Sequence, residues 1–111
     1  MGRLFYSDYV KHMLRFYSRS RNITSFKSDV DKTNWKVCDT TLNEFPINQR
    51  NMLIEVYAGY GTLPDEVCNV AIKYNVDTHK LWDLMKDVEK NIAKNRGLIW
   101  IFMIYLKNYK N

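Results

Sequence analysis

The residues whose types suit chemistry on a ligand are concentrated between positions 78 and 86. Hydroxyl, imidazole, ammonium, indole and carboxylate groups fall where the first turns of a helix would expose them, at Thr78, His79, Lys80, Trp82, Asp83 and Lys86. Such groups can read base edges, since an ammonium donates to guanine, a carboxylate accepts from cytosine, and threonine contacts a phosphate or a thymine methyl. Each also has a plainer interpretation. Asp83 could pair with Lys86 or His79 across one turn, Trp82 could pack on the N-terminal helix, and the others could be ordinary surface groups.

Two helices separated by a tight turn would position these residues. Apolar side chains recur at helical spacing on both sides of the turn, at Val67, Val70, Ala71 and Tyr74 and then at Leu81, Leu84, Met85, Val88 and Ile92. Asn75 is expected to end the first helix in a left-handed conformation, Asp77 to cap the second, and Gly97 to terminate it. This pattern is typical of a helix-turn-helix, whose second helix enters the major groove, but short turns also join helices in bundles that never touch DNA.

Three further helices are expected before this pair. The first is predicted from Ser7, as N-cap, to about Arg19, the second begins after Ser28, and the third covers residues 47–58. Their predicted buried residues are Tyr9, Val10, Met13, Leu14, Tyr17, Val30, Val37, Cys38, Leu42, Leu53, Val56 and Tyr57. The chain is therefore predicted to be all-α, a compact helical domain of about five helices over residues 1–97, with the helix-turn-helix at 62–97 and an apolar extension at 98–111.

The charge is distributed unevenly along the chain. The net charge is +5, and residues 1–27 hold six lysines and arginines against one aspartate, whereas residues 62–97 hold six cations and six anions. The predicted phosphate contacts are Lys11, Arg15, Arg19, Arg21, Lys90, Lys94 and Arg96. Lys11, Arg15 and Arg19 recur at four-residue steps, a spacing that also suits an ordinary solvated helix face.

Other function classes find little support in the residue types. Cys38 and Cys68 form no C-x-x-C pair, and both are predicted to be buried thiols in a reducing cytoplasm. His12 and His79 have no serine or cysteine partner at a recognisable spacing, and the carboxylates are expected mostly on exposed helix faces. The sequence therefore predicts no enzymatic activity, no metal site and no cofactor. The uncharged run at 98–106 is too short to span a membrane and is expected to be buried, within the chain or in a homodimer.

Several stretches resemble region four of bacterial sigma factors. They are Phe45-Pro46 followed by Arg50, Leu53, Val56 and Tyr57, then Gly61-Thr62-Leu63, Val70-Ala71 and Asn75-Val76-Asp77. Residues 1–99 as a whole are similar to small sigma-region-four-like proteins carried on conjugative elements and prophages of Firmicutes. That resemblance implies a helix-turn-helix fold and a DNA-binding transcription regulator of a mobile element, with double-stranded DNA and RNA polymerase as partners. The alternative is a protein-interaction adaptor, either polymerase-binding or homodimeric, that does not read DNA.

Overall fold

Helical spacing of apolar residues produces five α-helices in the computed structural model, which describes residues 6–98. They are α1 (Ser7–Arg19), α2 (Asp29–Asn43), α3 (Ile47–Ala58), α4 (Leu63–Tyr74) and α5 (Thr78–Arg96). No strand occurs among the described residues, so the predicted all-α class is confirmed. Most of the apolar extension, at residues 99–111, lies outside the described residues. The expectation that the extension is buried, within the chain or in a dimer, therefore concerns residues that are not described.

Local capping chemistry sets most of the helix ends. The side chains of Ser28, Thr62 and Asp77 each accept a hydrogen bond from a backbone N–H in the first turn of α2, α4 and α5, respectively. Asn75 ends α4 with φ 54°, and Gly97 ends α5 with φ 86°, both left-handed as expected. Short sequence signals therefore determine where the two C-terminal helices begin and end.

The predicted N-cap of α1 is wrong. Tyr6 occupies that position without a side-chain hydrogen bond, and Ser7 is the first residue of the helix. The Ser7 side chain is buried, and its hydroxyl lies 3.3 Å from Oε1 of Glu89 on α5. Because the hydroxyl has a partner on another helix, it does not cap its own.

The core forms where α1 packs on α3, α2 on α5, and α3 on α4. The fully buried side chains of largest volume include Tyr17, Tyr57, Met13, Leu14, Leu42, Leu53, Leu81, Met85 and Ile92, all of them predicted. Val30 is 52% exposed, because it lies in the first turn of α2, beyond the packed part of that helix. Cys68 is also exposed, since α4 packs on the core through Val67, Val70 and Ala71, and position 68 lies outside that face of the helix. Tyr9 is only partly covered, at 37% exposed.

The junction between α3 and α4 is held by side chains from two helices. Arg19 of α1 donates from its guanidinium to the carbonyls of Ala58 (3.3 Å) and Gly59 (2.6 Å), which lie at the end of α3. The carboxylate of Glu66 accepts from the N–H of Gly61 at 3.1 Å and occupies the space that a Cβ at Gly59 would need. These contacts satisfy backbone groups at the end of α3 and fix the start of α4.

Within residues 6–98, no helix combines the length and the hydropathy needed to cross a lipid bilayer.

Candidate nucleic-acid interface

The turn between α4 and α5 consists of three residues with defined roles. The N–H of Asn75 donates to the carbonyl of Ile72 (3.2 Å) and that of Val76 to Ala71 (3.0 Å), so α4 closes with its carbonyls paired. Val76 is half-buried against the core, and Oδ1 of Asp77 accepts from the N–H of His79 at 2.8 Å. The start of α5 is thus held in a fixed position relative to α4.

Five of the six candidate base-contacting residues are exposed together on the first three turns of α5. They are Thr78, His79, Lys80, Asp83 and Lys86. Trp82 differs, because it is half-buried and packs against the core. The exposed face of α5 therefore presents hydroxyl, imidazole, ammonium and carboxylate groups, while the Trp82 indole packs against the core.

A groove lies beside this face, between α5 and the first half of α3. It has a volume of about 320 Å³, and its walls include Lys80 and Asp83 of α5 and Gln49 and Met52 of α3. The two candidate residues with opposite charge therefore border the same depression. Gln49 adds an amide there that the sequence analysis did not single out.

A row of lysines continues along α5 from the candidate interface. Lys86, Lys90 and Lys94 are all exposed and recur at four-residue steps, so they lie above one another over about 12 Å of helix. The ion pairs described within residues 6–98, Lys11–Glu89 and Lys73–Glu55, do not involve them. The three lysines therefore form a cationic row along the helix, with Asp83 and Asp87 three residues before Lys86 and Lys90.

An acidic row runs next to the lysines. Asp83 and Asp87 are exposed one helical turn apart, on the same solvent-facing side of α5. These carboxylates lower the positive potential near the first half of the helix. Phosphate attraction should therefore be strongest toward Lys90 and Lys94, beyond the two aspartates.

Two of the three predicted phosphate-contacting cations of α1, Lys11 and Arg19, have hydrogen-bond partners on other helices. Nζ of Lys11 lies 3.1 Å from Oε1 of Glu89 and 2.5 Å from Oγ of Ser7. Arg19 binds the end of α3, as described above, and its guanidinium carbon lies 4.2 Å from the ring centroid of Tyr60. Lys11 therefore contacts α5 and Arg19 contacts α3, and the role of both on phosphate stays a prediction.

The remaining predicted cations also lie apart from the lysine row. The guanidinium of Arg21 is 5.3 Å from the ring centroid of Tyr17, and Nε of Arg96 donates to Oδ1 of Asn34 at 2.8 Å. Arg15 has a buried Nε without a hydrogen-bond partner among the described residues. The structure therefore groups Lys90 and Lys94 with the α5 face and leaves the arginines elsewhere.

A buried carboxylate that the sequence analysis missed holds α5 against its neighbours. Glu89 is 8% exposed; its Oε1 lies near Lys11 and Ser7 of α1, and its Oε2 accepts from the Tyr57 hydroxyl of α3 at 2.5 Å. Burial raises the pKa of Tyr57 well above its usual value, and the Glu89 carboxylate raises it further. The available signal was position, because Glu89 follows Val88 and precedes Ile92 by three residues, on the buried stripe of the helix.

No group of three histidine, cysteine, aspartate or glutamate side chains able to hold a metal ion occurs in the described part of the chain. Comparison with protein-family models, with curated proteins and with solved structures finds no match to this chain.

Proposed function

We propose that this chain binds double-stranded DNA through the exposed face of α5 and acts as a sigma-region-four-like transcription regulator of a mobile element. In this proposal the base-facing residues are Thr78, His79, Lys80 and Asp83. Lys86, Lys90 and Lys94 bind phosphates. The observation that carries the proposal is the combination of a three-residue turn closed by hydrogen bonds with an exposed α5 face whose lysine row forms no ion pair within residues 6–98.

The same surface predicts how strongly affinity depends on salt. If Lys86, Lys90 and Lys94 each neutralise one phosphate, log K should fall with log salt at a slope of about −2.7. Affinity should then drop roughly 40-fold between 50 and 200 mM salt. The salt dependence is moderate because only three phosphate contacts contribute to it.

The test is fluorescence anisotropy with a labelled duplex at several salt concentrations. Lys90→Gln combined with Lys94→Gln should weaken binding and reduce the salt slope by about 1.8. The matched control is Lys32→Gln combined with Lys36→Gln, which removes the same charge from exposed positions on α2. Equal losses in the two double variants, or no binding by the unaltered protein at low salt, would overturn the proposal.

Base reading is tested separately from phosphate binding. Genomic fragments selected by the protein and then sequenced should yield a shared motif, and Lys80→Glu should weaken binding to it because a carboxylate replaces the ammonium at the start of α5. Loss of sequence preference with retained non-specific binding would assign Lys80 to the bases. Selection of unrelated fragments would contradict base reading.

A second candidate function is a protein-interaction adaptor that uses the outer face of α4. Ile72 is 80% exposed, and the exposed Cys68 lies one turn before it, so α4 presents apolar side chains away from the core. RNA polymerase is the expected partner. Capture of purified core polymerase that is lost with Ile72→Ser but kept with Lys90→Gln and Lys94→Gln would favour this adaptor.

A further inference from the structure

A cavity separate from α5 lies between α1, the loop at residues 20–28 and the start of α2. Its volume of about 740 Å³ falls within the range of small-molecule sites. One part of its lining is apolar, with Met13 and Phe16 from α1 and Ile23 and Phe26 from the loop. A planar or apolar group would lose its hydration among these side chains without losing hydrogen bonds.

The wall formed by the loop is held in place by Trp35 of α2. The indole N–H of Trp35 donates to the carbonyl of Ser20 at 3.0 Å, where the loop begins. The Phe26 ring packs against the same indole with centroids 6.0 Å apart, and Tyr17 packs on it from α1 at 5.0 Å. The cavity is thus bounded by side chains whose positions are set by packing.

The polar part of the lining favours an anion. Arg15 lines the cavity, and its buried Nε has no acceptor among the described residues, which is unfavourable for a donor withdrawn from water. Lys27 supplies a second cation from the loop. Asp31 is the acidic residue of the lining, and Arg19 is already bound to the end of α3.

We infer that this cavity binds a small ligand in which an anionic group is joined to an aromatic ring. The ring lies among Met13, Phe16, Ile23 and Phe26, and the anionic group accepts hydrogen bonds from Arg15 and Lys27. A ligand with both parts gives Arg15 and Lys27 an acceptor and buries apolar surface at once, whereas either part alone does one of these. The inference does not depend on DNA binding, because the residues of the cavity are distinct from the α5 face.

The experiment is an NMR titration of the full chain with phenyl phosphate, phenol and inorganic phosphate. The reporters are the Trp35 indole N–H and the backbone amides of residues 20–27, which form the loop wall. Phenyl phosphate should shift these signals saturably and bind at least about tenfold more tightly than phenol or inorganic phosphate, because it engages both parts of the lining.

Two variants distinguish this site from general affinity for an aromatic anion. Lys27→Gln, at an exposed position, and Arg15→Met should each weaken phenyl phosphate binding about tenfold. The control Lys32→Gln removes a lysine of α2 that does not line the cavity and should leave binding unchanged. Shifts that do not saturate at millimolar phenyl phosphate, or equal effects of Lys27→Gln and Lys32→Gln, would overturn the inference.

Discussion

The hydroxyl of Tyr57 on α3 donates a 2.5 Å hydrogen bond to Oε2 of Glu89 on α5. The other oxygen of the same carboxylate lies near Lys11 and Ser7 of α1, so a single side chain joins three helices inside the core. A buried carboxylate is tolerated only when its oxygens have partners. The position of α5, and with it the proposed DNA-binding face, therefore depends on this cluster.

Tyr57→Phe should lower the free energy of unfolding by about 1–3 kcal/mol, because Oε2 of Glu89 would stay buried without its donor. Urea denaturation followed by circular dichroism measures the change. The control is Tyr60→Phe, which also removes one hydroxyl, at a position that is 86% exposed. A loss for Tyr60→Phe as large as that for Tyr57→Phe would contradict this account.

Lys11→Met should destabilise the protein by about 1–3 kcal/mol, because it leaves the Glu89 carboxylate charged and partly unpaired. The same substitution in a Glu89→Gln background should cost less, since no charge remains to be compensated, and a double-mutant cycle measures the difference. Lys73→Met, which breaks the exposed ion pair with Glu55, should cost less than Lys11→Met. Additive effects of Lys11→Met and Glu89→Gln would show that the ion pair has no energetic coupling.

Stability should fall at alkaline pH, in part through Cys38. Burial, with the Asp39 carboxylate, raises the pKa of this thiol from 9.0 to about 12. As the pH rises, the unfolded chain therefore loses the thiol proton before the folded chain does. The contribution of Cys38 to the free energy of unfolding is complete below pH 9 and is lost at about 1.4 kcal/mol per pH unit up to pH 12. Tyr17 and Tyr57, whose pKa values are also raised by burial, add to the loss above pH 10.

The measurement is the free energy of unfolding under reducing conditions from pH 8 upward. Cys38→Ala lowers stability at neutral pH by leaving a small cavity, and it should make the decline above pH 9 less steep. Cys68→Ala, at the exposed cysteine, should leave the steepness unchanged. The same steepness in both variants would exclude Cys38 as a source of the pH dependence.

The left-handed residue of the turn is open to a direct test. Asn75→Ala should destabilise the protein by about 1 kcal/mol, because a β-carbon without a polar group is strained at φ 54°. Asn75→Gly should be neutral or stabilising, since glycine adopts this conformation freely. Thermal unfolding of the two Asn75 variants measures the difference, with Asn69→Ala on the exposed side of α4 as the control. An Asn75→Ala variant at least as stable as Asn75→Gly would contradict the prediction.

Residue order alone determined the helices and the turn between α4 and α5, because these depend on interactions within a few positions. Helical spacing predicted the bounds of α3 as observed. Asn75 and Gly97 end their helices and Asp77 caps α5 as predicted, because each of these roles involves only the residue's own helix. The all-α class follows from the same local signals. Which chemical groups face the α5 surface was also readable, apart from Trp82, since exposure near a helix start follows from the spacing of the buried residues.

Tertiary packing decided the roles of the polar groups between helices. Ser7, Lys11 and Arg19 look like a cap and a solvated cationic line in sequence, yet they bind Glu89 and the end of α3, more than 35 positions away. Cys68 became exposed because α4 packs on only one side. Such roles depend on which helices come into contact, and that is set by the packing of the whole core, which no short window of sequence contains.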